Sequence, residues 1–135
     1  MGLELTIVTP QGERYRGSVD HVVLPGSEGE FGVLPEHERY LTPLRAGAAE
    51  IRTGRETLWA AIADGFADVQ GDSVTVLVES CELAHDIDTA RAERAHERAA
   101  QGLATLDPDE DRVRYEAFEV ALERARIRLE VGRKS

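Results

Sequence analysis

Ser73-Val74-Thr75-Val76-Leu77-Val78-Glu79-Ser80-Cys81-Glu82 runs directly into Leu83-Ala84-His85-Asp86-Ile87-Asp88-Thr89-Ala90-Arg91-Ala92, and the chain changes character between the two. The first stretch is the most β-branched of the sequence, which marks a central strand. After Glu82 the β-branched residues thin out and Ala, Arg and Glu take over, a helix-forming mixture. A β module therefore precedes a helical unit, with domains at 1–84 and 85–135. The fold class is α+β.

Upstream of this boundary the β grammar repeats. Leu3, Leu5 and Ile7 alternate with Glu4 and Thr6, the two-residue period of a strand with one buried face, and Pro10-Gln11-Gly12 reads as a turn. His21–Leu24, Ala48–Arg52, Thr57–Ala63 and Phe66–Gln70 follow, each closed by a Pro-Gly, Thr-Gly, Asp-Gly or Gly-Asp pair. Short strands at this spacing predict a sandwich or barrel.

Downstream, Asp88 can cap a helix from about Thr89 to Gln101, with Gly102 as its C-terminal stop. Asp107-Pro108-Asp109-Glu110 reads as a second N-cap, proline at the first helical position and acids in the first turn. That helix should run to about Val131 and fold back antiparallel on the first. Its apolar stripe is Val113, Ala117, Phe118, Ala121, Leu122, Ala125 and Leu129. Helix one offers Ala92, Ala95, Ala99 and Leu103. Alanine buries much less than the ~1.5–3 kcal/mol of a fully buried Leu or Phe, so the hairpin should be held weakly.

The 135 residues carry 26 acidic and 16 basic side chains, a net charge of −10. Residues 1–90 hold 16 of the acids and 6 of the bases, whereas residues 91–135 are balanced. An acidic module repels nucleic-acid backbones and anionic lipid, so nucleic-acid binding is disfavoured and an anionic ligand should contact the second half. Cys81, the single cysteine, excludes an internal disulfide and reads as a small buried hydrophobe. No apolar run nears the ~20 residues of a membrane span, which predicts no direct membrane insertion.

Catalytic chemistry has no constellation. His21, His37, His85 and His96 lack metal-ligand spacing, and no Gly-x-Ser-x-Gly nucleophile motif occurs. Asp64, Asp68 and Asp72 sit where turns need them. Gly26-Ser27-Glu28-Gly29-Glu30-Phe31-Gly32 resembles a phosphate cradle in its glycines alone: Glu28 and Glu30 would repel phosphate. It reads as a tight strand connection or as a docking surface in which Phe31 and Gly32-Val33-Leu34-Pro35 lie beside Glu30 and His37. Arg124 and Arg128, four apart, share a helix face that Arg126 leaves. With Arg91 they form a triphosphate clamp if the hairpin makes them converge, or otherwise a solvated face paired with Glu119, Glu123 and Glu130.

Leu24-Pro25-Gly26-Ser27-Glu28-Gly29-Glu30-Phe31-Gly32-Val33-Leu34-Pro35 with His37, the later Leu41-Thr42, and Ile87-Asp88 with Arg91-Ala92 together resemble the epsilon subunit family of F-type ATP synthases. The resemblance implies a ten-stranded N-terminal β-sandwich and a C-terminal antiparallel α-helical hairpin. It implies a non-catalytic central-stalk subunit of a proton-translocating complex on the cytoplasmic face of the bacterial cell membrane. Its partners would be the gamma subunit and the c-ring, and the alpha/beta hexamer when the hairpin extends to inhibit ATP hydrolysis. No cofactor is required; in some members ATP is a regulatory ligand, at positions matching Ile87, Asp88, Arg91, Ala92, Arg124 and Arg128. Glu30, Phe31, Gly32 and His37 match the rotor-contact loop. Glu36 stands where the family commonly has glycine, and Glu38-Arg39-Tyr40 replaces a smaller or more apolar stretch. A free-standing nucleotide sensor is the alternative reading of the arginines.

Overall fold

The computed structural model describes residues 2–35 and 37–134, with only the backbone of His37. Ten strands precede two helices. They are β1 (Leu3–Thr9), β2 (Gly12–Val19), β3 (His21–Gly26), β4 (Gly29–Val33), β5 (His37–Leu44), β6 (Gly47–Thr53), β7 (Glu56–Ile62), β8 (Gly65–Gly71), β9 (Ser73–Val78) and β10 (Cys81–Leu83). A 3-10 turn at Ala84–Asp86 leads to α1 (Thr89–Thr105) and α2 (Arg112–Gly132). The ten-stranded sandwich with a helical hairpin agrees with the expected fold class.

Hydrogen bonding orders the strands β10-β7-β6-β3-β5-β8-β9-β1-β2, with β4 paired to β3. Every pairing is antiparallel except β1 with β9. β9 lies between β8 and β1, the interior position its β-branched sequence predicts. Alternation supplies the core: Leu3, Leu5 and Ile7 of β1 and Val74 and Val76 of β9 point inward, where they meet Leu24, Val33, Ile51 and Val69, all essentially buried. Gly54 and Gly71 have φ of 60° and 62° at the β6–β7 and β8–β9 turns, a backbone that a residue with Cβ adopts only at a cost.

The strands hidden from pattern reading are β2, β4, β5 and β10. The segment Gly29–Val33, expected to be a bare connection or a docking surface, is itself a strand: Leu24 pairs with Phe31 and Pro25 with Glu30. The Cys81 side chain is buried in the core cluster. Burial pushes its thiol up to about 11, so the protonated form prevails at neutral pH.

The helix boundaries depart from the sequence reading in two places. Asp88 does cap α1, its carboxylate accepting from the Arg91 N–H at 3.0 Å. The helix does not stop at Gly102, however, but continues to Thr105. A Cβ on Gly102 would lie 2.7 Å from the Phe118 ring, so this glycine serves close packing of α2 onto α1. Asp107 accepts from the Asp109 and Glu110 N–H groups at 2.8 and 3.0 Å, as an N-cap does. These bonds close a separate turn, and α2 begins only at Arg112.

The helices pack antiparallel. Phe118 meets Gly102 near the loop, and a Cβ on Gly132 would meet Thr89 and Ile87 at the far end. Ala92 and Ala99 are buried, as the small-residue face of helix one requires, with Ala95 and Leu103 half-buried. On α2, Phe118, Leu122, Ala125 and Leu129 are sheltered as expected, whereas Val113, Ala117 and Ala121, expected in the same stripe, are exposed. A second buried face, unmarked by the predicted stripe, carries Ile127 and Val131. These two join Ile87, Ala84 and Ala61 in a cluster separate from the sandwich core, with Ala46, Ala48 and Trp59 against it.

Candidate functional site

Two regions follow from this geometry: the seam between α2 and the sandwich, and the outer face of the sandwich. At the seam, Ile87 is in the apolar cluster and Asp88 is occupied as the α1 cap. Ala92 is fully buried. Arg91 is exposed, and its side chain makes no ion pair or hydrogen bond among the described residues. Arg124 and Arg128, one helical turn apart, both line a cavity of about 140 Å³ with Ser80, Glu82 and Ile127.

The two arginines are not equivalent there. Arg128 faces Glu82 of β10 in a two-pronged contact: Nη2 donates to Oε2 at 3.0 Å, and Nε lies 2.7 Å from Oε1. The Nε is buried and its approach to Oε1 is off the hydrogen-bond direction, so it is held by charge alone. Arg124 is exposed and has no ion-pair partner among the described residues. The expected surface pairing of this face with Glu119, Glu123 and Glu130 is therefore not what forms. Glu123 and Glu130 pair instead with Arg126, at 2.6 and 3.2 Å. The Arg126 hydrogen bond draws the Glu123 carboxyl below the ordinary carboxylate range.

The structure thus brings Arg124 and Arg128 together and leaves Arg91 outside their cavity. A small-molecule pocket usually has ~300–1,000 Å³, so this cavity alone is too small for a nucleoside triphosphate. An open groove of about 500 Å³ adjoins it, sharing Ala46, Ala63 and Arg124. Asp64, Glu116, Glu119 and Glu123 line that groove and make it unfavourable for phosphate as it stands.

The outer face offers apolar surface instead. Pro43 on β5 pairs with Phe66 on β8, Phe66 with Leu77 on β9, and Leu77 with Val8 on β1, a continuous row across four strands. Phe66 is 51% exposed and Leu77 48%, and Leu41, two residues before Pro43, is 66% exposed. Beside the end of this row, Thr42 and Pro43 line a shallow cavity together with the turn Ser27–Glu30.

Of the expected rotor-contact residues, Glu30 and Gly32 are exposed. The Phe31 ring is turned to the core and meets Tyr40 edge-on at 6.1 Å, so it braces the loop more than it presents a surface. His37 contributes its backbone to β5, opposite Gly71; its side chain, like Glu36, lies outside the described residues. Sequence reading missed Glu82 and the Pro43–Phe66–Leu77–Val8 row. The first signal would have been a lone carboxylate in a strand before the helical unit, the second an apolar residue on the polar beat of β8 and of β9.

Residues 2–84 match the family profile for the ATP synthase delta/epsilon chain β-sandwich domain, and residues 85–132 match that for its long α-helix domain. The chain is 42% identical over 133 residues to a protein named ATP synthase epsilon chain from Syntrophobacter fumaroxidans, covering 98% of this chain and 97% of that one. It is 43% identical over 129 residues to the like-named protein of Nitratidesulfovibrio vulgaris, with 96% and 94% covered. The fold is similar to that of a chain in the Euglena gracilis mitochondrial ATP synthase, with a TM-score of 0.70, 23% identity, and 98% of this chain and 78% of that chain covered. A chain of the Tetrahymena thermophila mitochondrial enzyme's central stalk and c-ring gives a TM-score of 0.60 at 15% identity, covering 99% and 96%. No helix among the described residues is long and apolar enough to cross a membrane. The chain belongs to the delta/epsilon chain family of ATP synthase, and is by that membership a subunit of the assembly rather than an enzyme in its own right.

Proposed function

We propose that the sandwich is the anchor of a central-stalk subunit, that it docks on the gamma subunit and the c-ring of a proton-translocating complex at the cytoplasmic face of the bacterial membrane, and that the hairpin regulates ATP hydrolysis. The observation that carries the anchoring role is the row Pro43, Phe66, Leu77 and Val8. Four neighbouring apolar positions on one outer face, two of them large and about half exposed, would be costly to leave in water unless a partner covers them. The turn Ser27–Glu30 beside the row supports placing Glu30, Phe31, Gly32 and His37 at the same rotor contact, with Phe31 as a brace. Substituting Phe66→Ser and Leu77→Ser together should abolish co-purification with gamma from native membranes while leaving the sandwich folded. Undiminished co-purification would refute the anchor.

The regulatory role rests on how little binds the hairpin. Moving a two-state element from 1:99 to 99:1 takes about 5.5 kcal/mol of differential binding, so a regulated hairpin needs nearly balanced states. The small cluster around Ile87, Ile127 and Val131 meets that need. An extended hairpin reaches the alpha/beta hexamer and inhibits hydrolysis. Hydrolysis by the purified complex should rise when residues 88–135 are removed; unchanged activity would remove this role. ATP as a regulatory ligand would meet Arg124 first. To complete a triphosphate site at Ile87, Asp88, Arg91, Ala92, Arg124 and Arg128, Arg128 must leave Glu82 and Arg91 must swing inward. Calorimetry with ATP on the chain and on its Arg124→Ala variant tests this: binding that the variant retains would place any nucleotide elsewhere.

A further inference from the structure

Docking of the hairpin has an apolar part and a polar part, and they do different work. The apolar part is small: Ile87, Ile127 and Val131 against Ala61 and Ala84, with Ala46, Ala48 and the partly buried Trp59 at its edge. Four of the five groups that face these three are alanines, which present little relief, so the contact contributes adhesion more than register, with Trp59 as its one large side chain. The polar part is Arg128 of α2 against Glu82 of β10, with side chains 26% and 34% exposed. One hydrogen bond and one close charge contact from the same guanidinium to the two oxygens of one carboxylate restrict distance and orientation together. Glu82 is also well anchored. β10 pairs with β7 through Cys81–Ile62 and Leu83–Ala60, and the Arg14 side chain donates to the Cys81 carbonyl at 3.3 Å. The carboxylate is therefore presented from a fixed strand while the guanidinium arrives on the movable element.

We propose that the Glu82–Arg128 pair is the latch that selects the docked position of the hairpin, so that release of the hairpin proceeds through loss of this pair. The partly desolvated site gives the latch its strength in both directions. An exposed pair would change the docked population by a factor of a few, and a fully buried pair that loses one partner by several hundredfold or more. An intermediate burial places removal of one partner at about tenfold. Arg126 and the acids around it do not substitute, because Glu123 and Glu130 are already paired with Arg126. The latch concerns the docked state of the chain itself and holds whether or not an undocked hairpin inhibits hydrolysis.

The chain contains its own reporter. Trp59, the only tryptophan, packs against the hairpin cluster, and the Lys134 ammonium sits 4.3 Å from its ring centroid. Acrylamide quenching of Trp59 in the full chain therefore reads docking. Glu82→Gln and Arg128→Gln should each raise the undocked-to-docked ratio about tenfold, visible as a red-shifted, more readily quenched Trp59. The reciprocal exchange E82R/R128E should restore most of the wild-type signal. Slow labelling of the buried Cys81 confirms that the sandwich is intact, and Arg128→Gln, which lies outside the sandwich, carries the test if Glu82→Gln perturbs it. Wild-type quenching in both single variants would overturn the latch, as would an exchange variant no better docked than the singles.

Discussion

The sandwich core and the hairpin seam use similar residues for different ends. In the core, Leu3, Leu5, Ile7, Leu24 and Ile51 are fully enclosed by strands on both sides. At the seam, three aliphatic side chains meet alanines and the edge of Trp59, and the Glu82–Arg128 ion pair adds directional geometry. The sandwich core is therefore enclosed within its own strands, whereas the hairpin is attached at a small seam. Within the hairpin the order reverses again: Gly102 and Gly132 let α1 and α2 approach each other closely, so the helices hold one another over their whole length. A part that is coherent internally but thinly attached is suited to move.

The largest way to test this contrast is to damage the core. Leu5→Ala should cost about 3–5 kcal/mol in chemical denaturation and lower both sandwich and hairpin signals together. Ile127→Ala at the seam should behave differently: about 2 kcal/mol of docking is lost, read by Trp59, while the sandwich unfolds at an unchanged denaturant concentration. If the two variants shift the same single transition equally, the distinction between core and seam fails. Asp88→Ala removes the α1 cap and should cost about 1 kcal/mol of hairpin helicity, seen by circular dichroism. The smallest effect is at Asp107, whose carboxyl is held below the ordinary range by the Glu110 and Asp109 N–H groups. A carboxyl with a depressed folded pKa stabilises above its unfolded value, about 3.9, and the benefit is lost as pH falls through the lower folded value. Stability of the turn between the helices should therefore decline below about pH 4, read as faster amide exchange at Asp109 and Glu110, and Asp107→Asn should remove that part of the decline.

Much of the sandwich was legible because strand alternation is local: Leu3, Leu5 and Ile7 declare their buried face within seven residues. The helical change after Glu82 and the Asp88 cap were equally local. What stayed hidden depended on contacts between elements. Gly102 reads as a helix stop until Phe118 is seen against it. Ile127 and Val131 fall off the α1-facing stripe because α2 has two partners, and a single-face pattern describes only one. Phe66 and Leu77 look unremarkable in their own strands, and only register places them side by side. Arg128 could be assigned to a helix face from spacing, but its partner Glu82 is 46 residues away.

Native-state hydrogen exchange across the full chain tests the central contrast most directly. The seam-facing amides of α2 around Ile127 and Val131 should exchange through an opening of lower free energy and smaller denaturant dependence than the amides of β1 and β9. Exchange of both regions through one common opening, with the same free energy and the same denaturant slope, would contradict it.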